Sequence, residues 1–162
     1  MCPRGGNGEV QARHSVNCMS NSTTARLKAI ARRLQAEEAA SGKRARGEDL
    51  SSFRVCEQLR PPLAKLLGVG GFRALLSRSL AMAGAEVKWL RALHIKADGS
   101  LEGLNELDGK LDAHALAEGE IVLAAHKLGL LLTFIGPALT RQLLHDIWPR
   151  ADDLNFGNHE TL

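Results

Sequence analysis

Tyrosine is absent from this 162-residue chain, and four phenylalanines with two tryptophans are its only aromatic residues. Valine and isoleucine are also few, so the residue types that favour strands are scarce. Leucine and alanine dominate, with arginine, glutamate and lysine, all of which favour helices. Composition alone predicts an all-α fold.

Three cysteines, Cys2, Cys18 and Cys56, are widely spaced and form no CxxC pair. An odd count without a framework argues for a reducing compartment and against secretion. The N-terminus, MCPRGGNGEV, lacks the apolar stretch of a signal peptide, and Met19 opens a second start. The longest uncharged run, residues 128–140, has thirteen residues, short of the ~20 that a membrane helix requires. A soluble, cytoplasmic protein with no membrane span is expected.

Acidic residues do not balance basic ones evenly. Residues 1–49 carry nine Lys/Arg against five Asp/Glu, a net of +4, and residues 50–162 carry twelve against thirteen, a net of −1. The total is the +3 of the whole chain. A nucleic-acid surface over the whole protein is therefore unsupported, whereas a basic arm is compatible with the pattern.

Along the chain, residues 1–22 are polar, show no apolar period and are expected to be disordered. Asn21, Ser22, Thr23 and Thr24 offer N-cap oxygens to a basic amphipathic helix over 23–40. Its stripe is Leu27, Ile30, Ala31 and Leu34, at i, i+3, i+4 and i+7. Residues 41–49 form a charged linker, and a helical domain follows over 50–150. Within it the expectation is a helix at 51–67 interrupted by Pro61-Pro62, and a long amphipathic helix at 70–91. At 93–104 the period changes to two around Asp98-Gly99, which predicts a small β-hairpin or extended turn. Asp112 caps a central helix at 113–136 that is apolar on nearly every side, and such a helix is buried on nearly every side. Gly136-Pro137 breaks it and starts a last helix at 137–148. Residues 151–162 are a polar tail.

Signatures of catalysis or cofactor binding fail on inspection. GVGGF at 68–72 precedes a helix, but no GKS or GKT follows and no strand precedes it, so neither phosphate motif is met. Asp98, Ser100, Glu102, Gly103 and Glu106 imitate a calcium loop, yet its twelfth position is Gly109 where a bidentate glutamate is needed. His114 and Glu118 stand at i, i+4, but a metal would need a third ligand from His94, Asp112 or His145. Ser77, Ser79, Thr133, Thr140 and Cys56 have no positioned base in the sequence. No catalytic residue, metal or cofactor is assigned, and the leaning is away from an enzyme.

Two features remain. Arg26, Lys28, Arg32 and Arg33 line the 23–40 helix and could meet nucleic-acid phosphates, although Glu37 and Glu38 follow at once and no aromatic side chain there can stack on bases. On the central helix, His126 and Lys127 lie among apolar residues and indicate a rim that reaches the surface. With Leu130 and Phe134 they form the candidate interaction surface.

The runs CEQLRPPLAKLLGVGGFRALLSRSLAMAGAEVKWL (56–90), DGSLEGL (98–104) and LGLLLTFIGPALTRQLLHDIWP (128–149) resemble a group of small, mostly helical bacterial proteins of uncharacterised activity. The likeness spans about residues 54–150 and leaves the basic helix outside. It implies a bacterial, cytoplasmic context. The expected function is a non-enzymatic protein-interaction or regulatory module that self-associates, because so few helices must cover so apolar a central one. The alternatives are a nucleic-acid-binding regulator acting through residues 24–46, and an enzyme with a pocket between helices where His126, His145 or His94 meets a carboxylate.

Overall fold

A computed structural model describes residues 7–40, 53–107, 109–151 and 154, with side chains from Thr23 onward except that of Asn105. It is an all-α bundle. The helices are α1 (Asn7–Ala40), α2 (Arg54–Glu86), the single turn α3 (Leu104–Leu107) and α4 (Ala113–Ile147), with a 3₁₀ turn at Lys88–Ala92. The expected linker at 41–49 lies outside the described residues, as do residues 1–6.

α4 is the axis of the bundle. Asp112 caps it as expected, its carboxylate accepting from the Ala115 N–H at 2.7 Å. Between Gly119 and Leu131 every residue is buried except His126 and Gly129, which are half-buried. α4 is also long and apolar enough to cross a membrane, by length and composition alone, but half of its most apolar window is buried within the chain itself.

Two of the three long helices, α2 and α4, turn a corner at a glycine. Gly68 (φ 75°, ψ 163°) divides α2, and Gly136 (φ 83°, ψ 169°) divides α4. This backbone region is almost exclusive to glycine, since a Cβ there clashes with the chain's own backbone. Val55 meets Glu120 and Leu67 shares a groove with Phe134, so the first halves of α2 and α4 run side by side in the same direction. Glu86 then reaches His126, which shows the second half of α2 returning along α4. α1 runs antiparallel to α4, with Gln35 at Glu120 and Leu27 against Gly129. Its stripe of Leu27, Ile30, Ala31 and Leu34 is buried in the same core as α2 and α4.

Several expectations are corrected. α1 begins at Asn7, not near Thr23. No glycine or proline occurs from residue 9 to residue 40, so nothing in that stretch stops a helix. Thr23 and Thr24 are therefore interior residues, not caps, and the expected disorder of 1–22 does not extend over 7–22. Pro61 and Pro62 sit inside α2 without a break. Their missing N–H groups leave the carbonyls of Glu57 and Gln58 without helical partners. Gln58 is exposed and Glu57 half-buried, so water reaches that side while Leu59 and Leu63 anchor the other. The expected 70–91 helix ends at Glu86, where Val87 turns extended. Of the polar tail, Ala151 and Leu154 return to the core, and most of the rest lies outside the described residues.

The change of period at 93–104 is a two-stranded antiparallel sheet. β1 (His94–Ile95) pairs with β2 (Leu101–Glu102), with Ile95 opposite Leu101. Asp98 closes the turn by accepting from the Ser100 N–H and Oγ–H at 2.9 and 2.7 Å.

The corner at Gly68 generates a paired test. Space around both Gly68 and helical Gly70 is open, with nothing within 4 Å of an added Cβ, so backbone preference alone decides the effect. Gly68→Ala should lower stability by about 1–3 kcal/mol, and Gly70→Ala should raise it by roughly 0.5–1 kcal/mol. Urea denaturation of the two variants should therefore move in opposite directions.

Candidate functional site

Glu120 and Lys127 are seven residues apart on α4, two helical turns, so they share one face. That face points inward, and each side chain is 1% exposed. Glu120 has both oxygens occupied: Oε2 accepts from Gln35 Nε2 at 2.7 Å and Oε1 from the Val55 N–H at 2.9 Å. The second bond explains the start of α2. Its N-cap residue, Phe53, supplies no side-chain acceptor, and the open N–H groups of a first helical turn need one. Glu120 provides it from another helix, and its negative charge suits the positive end of the α2 dipole.

Burial pushes the Glu120 carboxyl up to about 7; the hydrogen bonds from Gln35 and Val55 and the charge of Lys127 oppose this, while Glu38 reinforces it. Lys127 Nζ stands 5.8 Å from the centre of the Phe72 ring, within cation–π range. It also hydrogen-bonds with Cys56. Glu38, 6% exposed, accepts from Trp148 Nε1 at 2.6 Å. The polar nucleus thus joins α1, α2 and α4 inside the apolar core.

A second junction lies nearer the surface. Glu86 Oε2 accepts from Lys28 Nζ at 2.8 Å, and its Oε1 lies 3.0 Å from His126 Nε2. Partial burial pushes the Glu86 carboxyl up, but the Lys28 and His126 contacts outweigh it and hold the group below its usual range.

The four residues of the expected interaction surface part company here. Lys127 and Leu130 are buried, and the His126 side chain, 14% exposed, faces Glu86. Phe134 alone is open, at 64%. The expected rim fails because Lys127 shares the inward Glu120 face instead of reaching water. The basic set is also partly engaged. Lys28 binds Glu86, Arg32 lies 3.9 Å from Glu118, Arg33 has a partner too, and Arg26 is exposed.

Of the remaining candidates, Ser77 is exposed on a surface groove, and most of the others are committed to structure. Ser79, Thr133 and Thr140 donate to carbonyls four residues earlier in their own helices. Cys56 is fully buried, and burial drives its thiol up to about 11 despite Lys127, so it is held as the unreactive thiol. His114 is exposed, Glu118 faces Arg32, and among the described residues no three His, Cys, Asp or Glu side chains gather to hold a metal.

Of the large apolar side chains left exposed among the described residues, all but Met82 lie within three residues of the two corners. Leu67 and Phe134, beside Gly68 and Gly136, line one groove of about 650 Å³ with Gly71, Ala74, Arg78 and Ala81. Leu66, Val69 and Leu139 flank the corners, each just over half exposed.

No family model, curated protein or solved structure matches this chain.

The nucleus predicts a measurable dependence on Trp148. Trp148→Phe keeps the ring but leaves Glu38 Oε1 without its indole donor, which should cost about 1–3 kcal/mol. Urea denaturation should show that loss with unchanged helical content.

Proposed function

We propose that this chain is a non-enzymatic cytoplasmic helical module that acts by association, with a second copy of itself seated on the apolar corner. The observation that carries the reading is the corner itself. Phe134, 64% exposed, lines a groove with Leu67, Gly71 and Ala74, and Leu66, Val69 and Leu139, each just over half exposed, lie within three residues of the Gly68 and Gly136 corners. Large apolar side chains gathered in this way mark an interaction surface. The same surface offers a projecting ring, Phe134, and a recess walled by Gly71, Ala74 and Ala81. A two-fold pairing requires a patch complementary to itself, and a ring beside a recess of small residues supplies that. The reading away from catalysis draws support from the protonated, buried Cys56 and from hydroxyls bonded to their own helices.

Light scattering on a size-exclusion column at micromolar concentration should give the mass of a dimer. Phe134→Asp should convert it to a monomer with an unchanged circular dichroism spectrum, because the side chain it replaces is mostly in solvent. A wild-type monomer across that range would overturn the proposal.

A further inference from the structure

We propose that Glu120 is a protonation switch that sets how firmly α1 is docked on the α2–α4 body. The geometry behind this is a buried carboxylate whose two hydrogen bonds come from α1 and α2. One oxygen takes its hydrogen bond from Gln35 on α1, the other from the Val55 N–H on α2. Across the same seam α1 places a second buried carboxylate, Glu38. The groups that face Glu120 are therefore Gln35 and Glu38 from α1, the Val55 N–H with the Cys56 thiol beside it from α2, and Lys127 from α4. Of these, the hydrogen bonds from Gln35 and Val55 and the charge of Lys127 favour the ionised form, and Glu38 with burial itself opposes it.

Ionising Glu120 sets two buried carboxylates against each other across the α1–α4 seam. Protonating it removes that repulsion and keeps an oxygen for Gln35 or Val55. Lifting α1 is the route by which water can reach the charged group, because the Gln35–Glu120 bond is only part-buried whereas the Val55–Glu120 bond is buried.

The direction of the response follows from burial. The carboxyl keeps its proton to about pH 7 in the folded protein, against 4.5 when solvated. The folded state therefore binds more protons than the unfolded state between those values, and stability falls as pH rises from 4.5 through 7. Above about 8 the effect is complete. Its ceiling is a drop in the folding equilibrium constant of roughly 300-fold, the ratio set by that difference in proton affinity.

Glu120→Gln mimics the neutral carboxyl and should fold at least as well as wild type. The ratio of folding constants, variant over wild type, should grow by one to two orders of magnitude between pH 5 and pH 8 in urea denaturation. Amide exchange measured on both proteins at each pH cancels the intrinsic rate. The excess of wild-type over variant exchange at the α1 amides over 27–38 should be at least tenfold greater at pH 8 than at pH 5.5. A folding ratio constant with pH overturns the switch. A ratio that grows while α1 exchanges no faster than α2 and α4 overturns its assignment to α1. Should the variant fail to fold, carbon-13 titration of the wild-type Glu120 carboxyl decides, with a midpoint near 7 expected and one below 5.5 overturning the proposal. None of these outcomes depends on the oligomeric state.

Discussion

Full enclosure of one helix segment is the constraint on which the rest of this structure depends. From Gly119 to Leu131, α4 offers water no face at all beyond the partial exposure of His126 and Gly129. A helix apolar on all sides requires neighbours on all sides, and a short chain has few to offer. The glycine corners solve that shortage. By turning α2 at Gly68 and α4 at Gly136, each long helix lays two arms along the bundle instead of one. α1 then closes the remaining side with Leu27, Ile30, Ala31 and Leu34. The corners also explain where the apolar surface is left open. At a bend the two arms diverge, and Leu66, Val69, Phe134 and Leu139, near the bends, are left more than half exposed.

Much of this was legible from the residues. The period of three and four along α1, the strand-like alternation around Asp98-Gly99, the cap at Asp112 and the break at Gly136 all act locally. Neighbours within a few positions determine them. Pro61-Pro62 misleads because the rule that proline stops a helix is also local. It omits the anchoring of Leu59 and Leu63, which are fully buried by contacts distant in sequence, and tertiary packing overrides a propensity of a few kcal/mol. The tail misleads for the same reason, since the burial of Ala151 and Leu154 is set by a surface already formed.

The site was less legible. The apolar period marked Phe134, yet periodicity could not separate it from Leu130 one turn away, because exposure there depends on the bend two residues later. The cost of a buried ammonium points Lys127 towards a rim. That cost is offset here, because Cys56 and the Phe72 ring meet the ammonium inside the core. Glu120 stands seven residues earlier on the same face, and that spacing in an otherwise apolar run was the available signal. Gln35, Glu38 and Trp148 could not be found this way, since their contacts with α4 or α1 span 85 and 110 positions.

A core built of leucine and alanine has a weakness that the polar nucleus addresses. Stripes of similar side chains allow one helix to slide past another by a turn of 5.4 Å with little change in apolar burial. A slip of α1 along α4 would separate Gln35 from Glu120 and Trp148 from Glu38 together. Each separation removes a hydrogen-bond donor from a buried carboxyl group, which is more costly than a misplaced leucine. Replacing such groups with apolar residues of similar volume is often neutral or stabilising in other cores, so their presence is not explained by stability alone. They set one register for α1, and Glu120 does so while supplying the cap that α2 lacks. The residue that fixes the register of α1 therefore also ties the start of α2 to the axis of the bundle.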